Sequence, residues 1–134
     1  MNILFVCNGN VARSQEAELF FNTLTQDENT HATSGGINVK LGKPIDPLVV
    51  EVMKEIGFDI SAATRKFTDE TMVSGADLIV SFKPAEELPD FIRNHNNVSY
   101  WNVPDPQAQS IEFHREVRDT VRQKVTDLIE ELNE

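Results

Sequence analysis

Residues 2–6 read NILFV, a short run of apolar, β-preferring side chains with no polar face. That pattern predicts a strand buried on both sides. The run breaks at Cys-Asn-Gly-Asn, which is turn chemistry. Ser14 can then cap a helix over 15–24, where Ala17, Phe20, Phe21 and Leu24 fall on a single face. Residues 31–34 form a second short strand candidate, closed by Gly35-Gly36. Asp46 before Pro47 is a helix start, with Val49, Val52, Met53 and Ile56 on one face and Gly57 as the stop. Thr68 can cap a short helix to Ser74. Residues 76–82 (ADLIVSF) hold the strongest central strand, residues 84–91 a short helix, and residues 97–103 a last strand. Tyr100 and Trp101, adjacent in that strand, should face opposite ways, one into the core and the other toward the rim of a pocket. Ser110 opens a long helix whose face carries Phe113, Val117, Val121, Val125, Leu128 and Leu132.

Strands alternating with helices predict an α/β fold, a parallel sheet covered on both sides. In such sheets ligands bind beyond the carboxyl ends of the strands, where the winding reverses. The loop after the first strand is such a place. No repeat or Gly/Ser linker interrupts the pattern, so residues 1–134 are expected to form one domain.

Composition narrows the function. The chain has 134 residues and a formal charge of 12 − 22 = −10. That charge argues against nucleic acid and against an anionic membrane surface as general partners. The apolar start is too short for a signal peptide core or a membrane span. A cytoplasmic protein is the expectation. The single cysteine, Cys7, forbids an intrachain disulfide and an all-cysteine zinc site. His31, His95 and His114 show no metal-ligand spacing and are read as surface or helix-face residues.

The chemistry lies in residues 7–14, Cys-Asn-Gly-Asn-Val-Ala-Arg-Ser. Between a strand and a helix, Gly9 permits a tight turn with positive φ, so that successive N–H groups can line an anion-binding cup. The helix N-terminus adds its positive end. Arg13 can fold over the cup and grip two oxygens of a tetrahedral anion. Such donors favour thiolate over thiol, and Ser14 can donate to the sulfur. The backbone of Asn8, Gly9, Asn10, Val11, Ala12, Arg13 and Ser14 would then hold the oxyanion above Cys7. A general acid for the leaving group is also needed. Asp105, in Val-Pro-Asp-Pro after the last strand, stands on the expected side of a parallel sheet.

These residues resemble the low-molecular-weight protein-tyrosine phosphatases and their relatives, the thioredoxin-type arsenate reductases. The resemblance covers nearly the whole chain. Beyond residues 7–14 and Asp105-Pro106, it includes Thr33-Ser34-Gly35, residues 42–47 (GKPIDP), residues 57–61 (GFDIS) and the closing helix from Phe113. It implies a three-layer sandwich with a four-stranded parallel sheet. It also implies hydrolysis of a phosphomonoester through a phosphocysteine on Cys7, with Arg13 gripping oxygens and Asp105 as acid and then base. Asn10 would prop the loop, with Ser34 as its partner. Such a phosphatase works best at mildly acidic pH.

The departures bear on substrate. Gln107 stands where an aromatic residue follows Asp-Pro in typical tyrosine phosphatases, and residues 37–42 lack the usual aromatic. A phosphotyrosine ring would lose stacking partners, whereas a small phosphoester or inorganic oxyanion would not. Ser14-Gln15 and Trp101 before Pro-Asp-Pro look like the reductase branch. Reductase members relay electrons through further cysteines, and none follows residue 7 here. Arsenate reduction would therefore need an external thiol or redoxin. A phosphate-binding module without turnover is the third reading. Some reductases bind potassium at positions matching Asn10, Glu18, Ser34 and Asp59. We read Asn10 and Ser34 as loop props, Glu18 as a helix-face charge and Asp59 as a turn residue, and expect no metal or other cofactor.

Overall fold

The computed structural model describes all 134 residues. Four parallel strands, β1 (Asn2–Cys7), β2 (His31–Gly36), β3 (Leu78–Ser81) and β4 (Val98–Tyr100), form one sheet in the order β2-β1-β3-β4. The helices are α1 (Arg13–Leu24), α2 (Pro47–Lys54), α3 (Glu70–Ser74), α4 (Asp90–Arg93) and α5 (Ile111–Leu132). The apolar run of β1 works as the sequence suggests. Ile3, Phe5 and Cys7 point into a core shared with α1, α2 and α5, while Leu4 and Val6 point into a smaller one under α3 and α4. The result is a three-layer sandwich, a four-stranded parallel sheet flanked by helices.

β1 is central, with β2 on one side and β3 on the other. The winding therefore reverses at β1, and the crevice beyond its carboxyl end is the ligand position of such sheets. Cys7 is the last residue of β1 and pairs with Gly36 at the end of β2. The approach is close. A Cβ on Gly36 would stand 2.6 Å from the Asn8 carbonyl oxygen and 3.0 Å from the Asn10 nitrogen. No helix is long and apolar enough to cross a membrane.

Several elements differ from the sequence expectation. The last strand ends at Tyr100 rather than Val103. Trp101 lies just beyond it, packed against Phe5 and Phe82 at 5.7 Å each, whereas Tyr100 is exposed. Asp69 rather than Thr68 caps α3, accepting from the Met72 N–H. Thr68 is instead buried against Gly35, where a Cβ would clash with its hydroxyl at 2.4 Å. The short helix expected over 84–91 is a 3₁₀ turn at Ala85–Glu87 followed by α4. Asp46 caps α2 as expected, accepting from Leu48 N–H.

Candidate active site

The loop from Cys7 to α1 is built from the inside outward by Asn10. Its φ is +55°, the left-handed region, which asparagine tolerates better than most residues. The sequence expectation put that conformation at Gly9, but Gly9 does not have a positive φ. The Asn10 amide is fully buried and every polar atom of it is used. Its Oδ1 accepts from the Lys66 backbone N–H and from Gln15 Nε2, both at 2.8 Å. Those two donors fix which end of the amide is oxygen. Its Nδ2 therefore donates to Ser14 Oγ at 2.8 Å and to Ser34 Oγ at 3.0 Å. Ser34 is thus the loop partner expected for Asn10.

Ser14 is not the cap of α1. The helix begins at Arg13, and Ser14 lies inside its first turn with its hydroxyl 2.8 Å from Cys7 Sγ. Because Ser14 Oγ accepts from Asn10, its own proton is free for the sulfur. The Asn10 backbone N–H also donates to Cys7 Sγ, at 3.2 Å. Two hydrogen bonds thus converge on the Cys7 sulfur, one from the Asn10 N–H and one shared with the Ser14 hydroxyl. The helix start at Ala12 has no side-chain cap, which leaves first-turn amides open for an anion.

Arg13 reaches across the carboxyl ends of β3 and β4. Its Nη1 donates to the carbonyls of Val103 at 2.9 Å and, more weakly, Phe82 at 3.4 Å. The guanidinium lies 5.7 Å from the centre of the Phe82 ring. These ties fix its plane in a nearly buried position and leave Nε and Nη2 for an oxyanion. Asp105 stands beside it, with Oδ2 3.6 Å from Arg13 Nη2. The Gln107 N–H donates to Asp105 Oδ1 at 3.0 Å, and the carboxylate is 44% exposed. The structure therefore brings Cys7 and Arg13, from the loop after β1, and Asp105, from the segment after β4, to the same end of the sheet. A groove of about 660 Å³ runs off the loop from Asn8, Gly9 and Val11, and Gln107 lines it too. Of the expected loop residues, Asn10, Ala12 and Ser14 are buried and serve as the frame.

Glu18 is more than a helix-face charge. Its Oε1 accepts from Ser34 Oγ and from Lys66 Nζ, each at 2.9 Å. Glu18 is thus ion-paired with Lys66, an ammonium of the chain itself. Asp59 binds Ser61 N–H and hydroxyl, a turn role as expected.

Two buried titratable groups were not anticipated. His114 faces inward rather than outward, at 1% exposure, and neither ring nitrogen has a partner. Glu16 on α1 is fully buried, and neither carboxylate oxygen has a partner. The signal was present, since Glu16 lies one turn before Phe20 on the apolar stripe of α1. Burial pushes the Glu16 pKa from 4.5 to about 8, against the pull of the Arg118 and Arg13 guanidinium groups. The unfolded chain gives up this proton near 4.5 while the native state keeps it to about 8. Between those values the native state binds more protons, so this group's effect is falling stability with rising pH, levelling off above both. Glu16→Gln is neutral at every pH. Its stability relative to wild type, measured by urea unfolding, is expected to rise by several kcal/mol between about pH 5 and 8 and stay flat below. A difference independent of pH would contradict a neutral Glu16.

A parallel sheet whose central strand ends in a cysteine met by a main-chain N–H and a serine hydroxyl, with an arginine opening the next helix, is the architecture of cysteine enzymes that handle tetrahedral oxyanions. The chain belongs to the low molecular weight phosphotyrosine protein phosphatase family, whose model matches residues 2–134. It is 30% identical over 132 residues to the glutaredoxin arsenate reductase of Synechocystis sp., covering 98% of each chain. Its fold matches an arginine phosphatase, YwlE, solved as a cysteine-to-serine variant with a phosphorylated active-site serine. The TM-score there is 0.90 at 23% identity, covering 100% of this chain and 97% of that one. It also matches an arsenate reductase in a phosphate-binding state, with TM-score 0.82, 30% identity and 97% coverage of both chains. Members of this family are enzymes, and both phosphatases and arsenate reductases are among the relatives.

Proposed function

We propose that the chain hydrolyses phosphomonoesters through a phosphocysteine on Cys7. The observation that carries this reading is the placement of Asp105. Its carboxyl stands 3.6 Å from the guanidinium that would grip the phosphoryl oxygens, where an ester leaving group would need a proton. In the first step the Cys7 sulfur attacks phosphorus, an S–P bond forms, and the ester P–O bond breaks. Asp105 gives its proton to the departing oxygen. In the second step Asp105 takes a proton from water, the resulting oxygen attacks phosphorus, and the S–P bond breaks, returning thiolate and phosphate. Arg13 and the loop amides would carry the charge of the equatorial oxygens in both steps. The sulfur leaves as an anion, and the Ser14 hydroxyl supports it. A thiol that must stay reduced suits the cytoplasm.

Arsenate reduction is the second reading, favoured by the identity to the glutaredoxin-named relative. Cys7 would bond to arsenic with loss of water, and an external thiol would attack its sulfur. The S–As bond then breaks with its electron pair on arsenic, giving arsenite and a mixed disulfide that a second thiol resolves. Cys7 is the only cysteine, so both reductants must come from outside.

Hydrolysis of an aryl phosphate by Asp105→Asn tests the first reading. The variant is expected to lose about 10²-fold in kcat, the usual scale of a general acid. Wild-type protein that turns over arsenate with a thiol and redoxin, but no aryl phosphate, would establish the reductase reading instead. Phosphate binding with neither turnover would leave a binding module.

A further inference from the structure

The groove beside the loop reverses the charge of the molecule. The chain carries 22 acidic and 12 basic side chains. The groove is lined by Lys40, Lys43 and Arg65 and by a single carboxylate, Asp46. Asp46 is already occupied as the cap of α2, accepting from Leu48 N–H. Arg65 is held in place, its Nε and Nη2 donating to the Pro44 carbonyl at 3.1 and 2.9 Å. Its Nη1 has no such tie. Lys40 and Lys43 are exposed on the preceding loop and free to meet a ligand.

The position of this charge matters. One end of the groove is made by Asn8, Gly9 and Val11, residues of the oxyanion loop, and Gln107 reaches it from the Asp105 segment. The group esterified to a phosphate held in the loop would leave along this groove. No aromatic side chain lines it, so it offers no stacking wall for a phenol ring. It offers cations in a concave wall, where field lines concentrate.

We infer that the preferred ligand is a phosphomonoester carrying a second anionic group, a carboxylate or phosphate, seated against Lys40, Lys43 and Arg65. This rests on the phosphomonoester reading for its first anchor and adds the chemistry of the rest of the substrate. A guanidinium-bearing phosphate would meet the same wall with the wrong sign.

Binding rather than turnover tests it, so that the inference can fail separately from the phosphatase reading. A benzylphosphonate and the same compound with a ring carboxylate are titrated calorimetrically into wild type and into a Lys40→Gln, Lys43→Gln double variant. The carboxylated compound is expected to bind wild type about tenfold more tightly at low salt, with that gain shrinking as salt screens it. In the double variant the gain should fall to about twofold or less, a loss on the scale of two partly exposed pairs. Circular dichroism checks that the exposed lysine changes leave the fold intact. Equal affinity of wild type for both compounds, or a gain that survives the double variant, would overturn the inference. A parallel pair of phosphonate peptides, flanked by glutamate or by glutamine, distinguishes the source. A glutamate gain assigns the second anion to a protein segment, and a gain confined to the small compound assigns it to a small molecule. Absence of aryl phosphate hydrolysis would reject the phosphatase reading while leaving this binding comparison decisive for the groove.

Discussion

Cys7→Ser is expected to lower aryl phosphate turnover by at least about 10⁴-fold, since removal of a covalent nucleophile is among the costliest single changes in an active site. The reason is local. The two groups at Cys7 Sγ, Ser14 Oγ and the Asn10 N–H, donate hydrogen bonds and cannot take a proton. A thiol is intrinsically the stronger nucleophile; a serine hydroxyl would need a base that the site does not place there. The loop frame hangs on Asn10 rather than on the sulfur, so inorganic phosphate should still bind and the melting temperature should change little. A variant that keeps more than about a tenth of wild-type turnover would remove Cys7 from the chemistry.

Arg13→Lys is expected to cost about 10²–10³-fold in kcat/KM, the scale of losing a preorganised charge-stabilising donor. Arginine does here what lysine cannot. One nitrogen is spent on the carbonyls of Val103 and Phe82, and the remaining edge is still available to an oxyanion. Lysine has a single point of charge, so it must choose between the carbonyls and the anion. Competitive inhibition by phosphate should weaken along with turnover, which separates loss of the anion grip from loss of the acid. In Asp105→Asn that inhibition should persist. Steady-state kinetics with phosphate as inhibitor make the comparison, and a loss below about fivefold in Arg13→Lys would contradict the assigned role.

Much of this molecule could be read from its sequence because local signals agreed with one another. The apolar run at the start, the Asp46-Pro47 helix start and the face of α5 each marked an element that the structure contains. Cys7, Arg13 and Asp105 were legible as a set because a parallel sheet sends every strand-to-helix loop to the same side. What escaped depended on partners far away in the chain. The contact of Ser14 with the sulfur was legible, but its expected role as helix cap fails because Asn10 and Cys7 draw the hydroxyl inward. Gly9 looked like the residue with positive φ, yet Asn10 adopts it, held there by Lys66 and Gln15. Glu16 and His114 are polar residues facing a core, and hydrophobic periodicity assigns such residues outward unless the stripe is followed position by position. The groove cations come from two loops, residues 40–43 and Arg65, that no sequence spacing joins.

The decisive measurement is to trap the phosphocysteine on Cys7. Asp105→Asn, mixed with an activated aryl phosphate and quenched within the first turnover, should accumulate it, because the activated leaving group departs without an acid while hydrolysis of the S–P bond still lacks its base. Peptide mass spectrometry is then expected to show one phosphoryl group per chain, on the peptide containing Cys7. Aryl phosphate turnover with no phosphoryl group on Cys7, or with the group on another residue, would exclude Cys7 as the nucleophile.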